Sequence, residues 1–143
     1  MEIFTTQSES ETATLAAQLV TKFALRRGDI VCLSGKLGAG KSVFARAMIR
    51  ELCKQPVLDV PSPTFTLVQT YETPSGLVHH LDLYRLKNES EIFDLGWDEL
   101  RDSGIMLVEW AERLGAYLPE DRLDIHFNHD GNDRRITIQE NIT

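Results

Sequence analysis

Gly35-Lys36-Leu37-Gly38-Ala39-Gly40-Lys41-Ser42 follows the short apolar run Ile30-Val31-Cys32-Leu33 and precedes Phe44, Ala45, Met48, Ile49 and Leu52, which recur at helical spacing. Strand, glycine loop and helix in that order are the setting of a phosphate-binding loop, and every position of the G-x-x-x-x-G-K-S/T pattern is met. A polyphosphate needs many donors close together, and side chains on every residue would block its approach. Gly35, Gly38 and Gly40 remove that obstruction and allow the positive φ angles that turn successive N–H groups inward. The first turn of the helix adds its unpaired N–H groups and positive dipole end. Lys41 is then placed to reach the outer phosphates, and Ser42 to give a hydroxyl to magnesium. Ala39 and Val43 complete the cradle.

Outward from the loop, the chain alternates helix and strand signals. Ser8-Glu9-Ser10-Glu11 fits a capping box, with Leu15, Ala16, Leu19 and Phe23 at helical spacing until Gly28. Pro61 and Pro63 make Val57 to Pro63 a loop. Thr64 to Tyr71 reads as a strand, Pro74-Ser75-Gly76 as a turn, and Leu77 to Leu83 as its hairpin partner. Asn88 with Glu91 opens a further helix that Gly96 stops, and Ile105 to Glu109 is a buried strand. Leu123, Ile125 and Phe127 alternate, Asp130-Gly131-Asn132 turns, and Ile136 and Ile138 alternate again as a terminal hairpin. The expected fold is a single α/β domain over residues 1–143, a P-loop NTPase-like unit whose mixed parallel and antiparallel sheet is flanked by helices.

Composition narrows the functional classes. The 143 residues suffice for one core. Their longest apolar runs are strand-sized, far short of a membrane span, and Met1-Glu2-Ile3 opens no export signal. Cys32 and Cys53 lie inside apolar patterns and read as reduced core thiols. A cytoplasmic protein with no membrane partner is expected. Fifteen basic against 22 acidic side chains leave a net charge of −7, the wrong sign for gripping nucleic acid unless the cations cluster. RNA is therefore expected to arrive only through a partner.

Magnesium wants a second protein contact, usually a carboxylate at the end of a buried strand. Glu109 ends Ile105-Met106-Leu107-Val108-Glu109, and Asp82 ends Val78-His79-His80-Leu81-Asp82. Ser62-Pro63-Thr64 has the form of a switch segment whose hydroxyl senses the terminal phosphate, or of a rigid turn. His79 and His80 point to opposite faces of a strand, which predicts one packed and one exposed ring. Trp110 reads as core, and Arg85 and Arg113 as members of surface ion pairs. The Asn/Thr-Lys-x-Asp segment of guanine-specific proteins is absent, which favours adenine. Between Glu89 and Gly104 only Arg101 is cationic, too little for the lid of a small-molecule kinase, the alternative enzyme class. A nucleotide-dependent binding module is the third reading.

Gly38-Ala39-Gly40-Lys41-Ser42, Ser62-Pro63-Thr64-Phe65-Thr66-Leu67-Val68, His80-Leu81-Asp82-Leu83-Tyr84-Arg85-Leu86 and Val108-Glu109-Trp110 together resemble the bacterial ATPase family called TsaE, or YjeE. The likeness runs from about Glu11 to Pro119. It implies an ATP- and magnesium-dependent subunit that works with the proteins TsaD and TsaB in making tRNA threonylcarbamoyladenosine, with tRNA met through that complex. By the same resemblance Lys41, Asp82 and Glu109 are catalytic and Ser42 and Glu109 hold the metal. Glu11 and Glu112 stand with Asp82 where members meet the nucleotide. Ser42 replaces a common threonine, and Lys36 a frequent acid.

Overall fold

A computed structural model describes residues 1–141; Ile142 and Thr143, the end of the expected domain, lie outside the described residues. Among the described residues, seven strands form one sheet in the order β1-β7-β6-β2-β5-β4-β3. They are β1 (Glu2–Thr6), β2 (Ile30–Gly35), β3 (Val68–Thr73), β4 (Gly76–Asp82), β5 (Gly104–Glu109), β6 (Arg122–Asp130) and β7 (Asp133–Asn141). The middle is parallel, β2 pairing with both β5 and β6 and β4 with β5. The β1–β7, β6–β7 and β3–β4 pairs are antiparallel. The mixed α/β sheet is thus as expected, and both hairpins stand where their turn residues put them. Every residue of β5 is buried, which is why it reads as an unbroken apolar run rather than an alternation.

Helices cover both faces. On one, α1 (Glu9–Phe23) and α2 (Lys41–Cys53) press Leu15, Leu19, Phe44 and Met48 onto Val31, Leu33, Leu107, Ile125 and Phe127. On the other, α3 (Ser90–Asp94), α4 (Trp97–Ser103) and a 3₁₀ segment (Ala111–Tyr117) set Ile92, Trp97 and Leu114 against Ile30, Cys32, Leu81 and Met106. Cys32 and Cys53 are buried free thiols, as their apolar neighbours imply.

Two local readings are corrected, and two elements are added to the expected set. The strand expected from Thr64 begins only at Val68. Leu67 adopts a left-handed φ of 68° and its N–H returns to the Pro63 carbonyl at 2.7 Å, so residues 63–67 close a turn despite their β-forming composition. The helix expected between Asn88 and Gly96 is one of two short ones, because Gly96 at φ 78° ends α3 and caps α4. β1 carried no legible strand signal; it is an edge strand whose partner β7 lies at the other end of the chain. Finally, both His79 and His80 are buried. They do face opposite sides of the sheet, but helices cover each side.

Candidate nucleotide and metal site

The parallel strands β2, β4 and β5 deliver their last residues to one edge, where a cavity of ≈ 470 Å³ opens. Gly38, Gly40, Lys41, Ser42 and Val43 line it from the loop, and Asp82, Glu109 and Trp110 from the strand ends. Gly40 precedes α2 at φ 107° and no side chain among the described residues caps the helix, so its first N–H groups are left for an anion. Gly35 has a different reason for being glycine. A Cβ there would stand 2.3 Å from the carbonyl oxygen of Phe127 on the neighbouring strand. Its absence lets β2 and β6 pair closely where the loop begins.

Lys41 is 4% exposed. Its ammonium donates to the carbonyls of Gly35 (2.6 Å) and Lys36 (2.8 Å) and lies 4.1 Å from the centre of the Trp110 ring. Burial pushes its pKa below the ordinary lysine range, and Glu112, Glu109 and Asp82 pull the other way. Trp110 is therefore only partly core. It stacks obliquely on Tyr84, with centroids 4.9 Å apart, and gives its other neighbour, Lys41, a cation–π contact.

Asp82 and Glu109 are direct partners in the β4–β5 register. Glu109 accepts from the Ser42 hydroxyl at 2.8 Å through Oε1. Asp82 accepts from the Thr64 hydroxyl (3.0 Å) and the Tyr84 N–H (2.9 Å), one on each oxygen. Thr64 also meets Ser62 at 2.7 Å, so the switch-like segment is tied to the end of β4 and both hydroxyls line the cavity. Ser42 and Glu109 offer two hard oxygens side by side at the mouth of a phosphate cradle. That donor set suits magnesium, which takes one or two protein oxygens and completes its shell with phosphate and water.

Two expected residues stand apart. Glu11 is exposed and outside this cavity; its carboxylate accepts from the Gln7 N–H at 3.0 Å and closes the capping box of α1. Glu112 lies behind the loop, accepting from the Gly35 N–H at 3.4 Å. Arg85 sits over the Phe65 ring (4.4 Å) and Arg113 donates to the Leu86 carbonyl (3.3 Å), in place of the expected ion pairs. The structure adds Thr6, Gln7, Ser8, Glu9, Asn132 and Arg134 to the lining. Pairing of Thr6 with Arg134 across the β1–β7 ladder brings these together. Arg134 donates to the carbonyls of Asn132 and Asp133. Its strand lies on the far side of β6 and β2 from the two carboxylates.

A glycine loop between a parallel strand and a helix, with a lysine, a hydroxyl and a carboxylate converging on it, defines a P-loop fold. Comparison with known proteins narrows this. Residues 6–137 match the family model described as threonylcarbamoyl adenosine biosynthesis protein TsaE. The chain is 38% identical to the tRNA threonylcarbamoyladenosine biosynthesis protein TsaE of Rickettsia conorii, over 92% of this chain and 74% of that protein. It is 39% identical to the protein of the same name from Bacillus subtilis, over 83% and 73% of the two chains. The crystal structure of Bacillus subtilis YdiB superposes with a TM-score of 0.78 at 28% identity, covering 99% of this chain and 86% of that one. The chain belongs to the TsaE family, and with it to tRNA threonylcarbamoyladenosine biosynthesis.

Proposed function

We propose that the chain is the ATP-binding and ATP-hydrolysing subunit of the machinery that makes tRNA threonylcarbamoyladenosine. It acts as a single P-loop ATPase domain in the cytoplasm and supports turnover by TsaD and TsaB. The observation that carries this reading is the Ser42–Glu109 pair, 2.8 Å apart beside the buried Lys41. The first N–H groups of α2 and the Gly38–Gly40 backbone bind the phosphates. Lys41 leaves the Gly35 and Lys36 carbonyls for the outer phosphate oxygens, where its charge offsets what develops in the transition state. Ser42 and Glu109 hold magnesium, which neutralises phosphate charge when bound. Asp82, with its geometry set by Thr64 and Tyr84, orients the attacking water. Thr6–Glu9, Asn132 and Arg134 surround the nucleoside end.

Two features support slow hydrolysis alone. Arg134 is on the nucleoside side of the cavity, and Arg85 and Arg113 are engaged elsewhere. An arginine supplied by a partner is worth about 10³–10⁵ in rate to such enzymes. The positive residues also favour an indirect route to RNA. Arg26, Arg27, Arg101 and Arg122 line a second cavity, but Asp29, Asp121 and Glu140 line it with them, so no strongly basic field results. Among the described residues no helix is long and apolar enough to cross a membrane. The test is phosphate release at fixed magnesium and salt, with TsaD, TsaB and tRNA added in turn. Hydrolysis should be slow for the chain alone and rise at least about a hundredfold in the full mixture. A rate already maximal without partners rules out the incomplete site, and phosphate transferred to a small alcohol rules in a kinase.

A further inference from the structure

The side chain behind Glu109 belongs to none of the roles above. His80 is 1% exposed on β4. Its Nε2 lies 2.6 Å from Glu109 Oε2, while Oε1 of the same carboxylate meets Ser42. The two oxygens of Glu109 are thus held differently, one from inside the sheet and one from the loop. His80 Nδ1 is buried and has no hydrogen-bond partner among the described residues. An N–H at that position would be a buried donor without an acceptor, so the proton sits on Nε2 and points at the carboxylate. A histidine kept for packing satisfies both nitrogens, as the adjacent His79 does with the hydroxyls of Thr70 and Ser103. Among the described residues the one hydrogen bond that the His80 side chain makes goes to Glu109.

The backbone explains the arrangement. Along the α2 face of β4 and β5, Val78 and Ile105 are apolar, then His80 stands opposite Leu107, then Asp82 opposite Glu109. His80 therefore lies one strand step below the carboxylates, in the last dry layer, and reaches diagonally up to Glu109. A glutamate carboxylate turns readily about its terminal torsion. With the inner oxygen held by His80, the outer one is fixed toward Ser42.

We propose that His80 is a positioning residue for the divalent cation: its Nε2–H locks the Glu109 carboxylate so that Oε1 and Ser42 Oγ form a ready pair of oxygens. The proposal rests on the reading of Ser42 and Glu109 as the cation pair. Such supporting partners are worth about 10–100-fold in metal affinity. His80→Phe keeps a buried ring and removes the donor; His80→Gln keeps a donor near the Nε2 position; Glu109→Gln removes the charge. Each is titrated with Mn²⁺ in the presence of ADP, following free Mn²⁺ by electron paramagnetic resonance, alongside metal-free ADP affinity and melting temperature.

His80→Phe should weaken Mn²⁺ by about 10–100-fold with metal-free ADP binding unchanged, and His80→Gln should restore most of it. Wild-type Mn²⁺ affinity in a folded His80→Phe overturns the positioning role, provided Glu109→Gln has lost it. If Glu109→Gln also binds Mn²⁺ normally, the cation site itself is misplaced and both readings fall. If His80→Phe does not fold, His80→Asn, whose amide is too short to reach Glu109, takes its place against His80→Gln, and equal affinity in those two overturns the proposal.

Discussion

The two faces of the sheet bury polar side chains to opposite ends. On the α2 face, His80, Asp82 and Glu109 crowd the last two layers of β4 and β5, and their bonds lead outward to Ser42 and Thr64 at the cavity. On the other face, His79 is closed off between two hydroxyls. Ser103 donates to the Leu100 carbonyl, so it accepts from His79 Nε2–H, and Thr70 donates to Nδ1. Cys32, on that same face, has its pKa pushed up to about 12, chiefly by burial, and stays an inert thiol. On the reading proposed above, adjacent residues on one strand serve chemistry and structure. What separates them is whether the hydrogen bonds end inside the protein or at a surface that a ligand can reach.

The sharpest way to break that contrast is to neutralise Glu109. Glu109→Gln preserves volume and an oxygen, but it loses the charge that opposes a cation. Hydrolysis in the complete complex should fall about a hundredfold or more, since a catalytic metal contributes several kcal/mol of charge stabilisation, and the magnesium needed for half-maximal rate should rise. Steady-state rates across a magnesium series check this. An unaltered magnesium dependence would shift the metal role to Asp82, the register partner of Glu109.

The α2 face was the more legible one in the sequence, and the reason is locality. Gly35 to Ser42, Asp82 and Glu109 each end a short segment whose character shows in neighbouring residues, so their convergence follows from a parallel sheet. The cavity wall formed by Thr6 and Arg134 was illegible because the two meet only through pairing of the first strand with the last. Glu11 carries a capping signal that it obeys, and that bond keeps it away from the cavity. Trp110 looked like core beside Val108, yet a left-handed φ of 58° turns the chain there and lays the ring beside Lys41. The turn at residues 63–67 shows the same competition, where the Leu67 N–H bond to the Pro63 carbonyl and the Thr64 bond to Asp82 hold a segment of β-forming residues out of the strand.

That hydroxyl gives the intermediate test. Thr64→Val keeps the shape and deletes the bonds to Asp82 and Ser62. A hydrogen bond to a charged group is worth about 1.5–3 kcal/mol, less where water can replace it, as at this half-buried site. Hydrolysis should fall about tenfold while the magnesium requirement stays put, because Glu109 and Ser42 are untouched. Hydrogen exchange over residues 62–67 should quicken. A changed magnesium requirement would mean that the ends of β4 and β5 act as one metal site rather than two differently employed carboxylates.

The smallest effect is expected on the back face, and it concerns pH rather than rate. Burial lowers the pKa of His79 below its ordinary value of 6.5. The unfolded chain therefore takes up a proton at this residue before the folded one does, and stability falls as pH drops below about 6.5 until the folded histidine titrates in turn. Protonation also puts a second N–H against Thr70, which must then accept instead of donate. His79→Gln removes the titration, so its loss of stability between pH 7.5 and pH 5.5 should be smaller than that of the wild type, even if it is less stable at both. Denaturant unfolding at the two pH values measures this difference of differences, and nucleotide affinity at pH 7.5 should be unmoved. An equal pH loss in both proteins would mean that His79 is not the source of the effect. Altered nucleotide affinity would show that the two faces are coupled through β4, which their separate hydrogen-bond networks argue against.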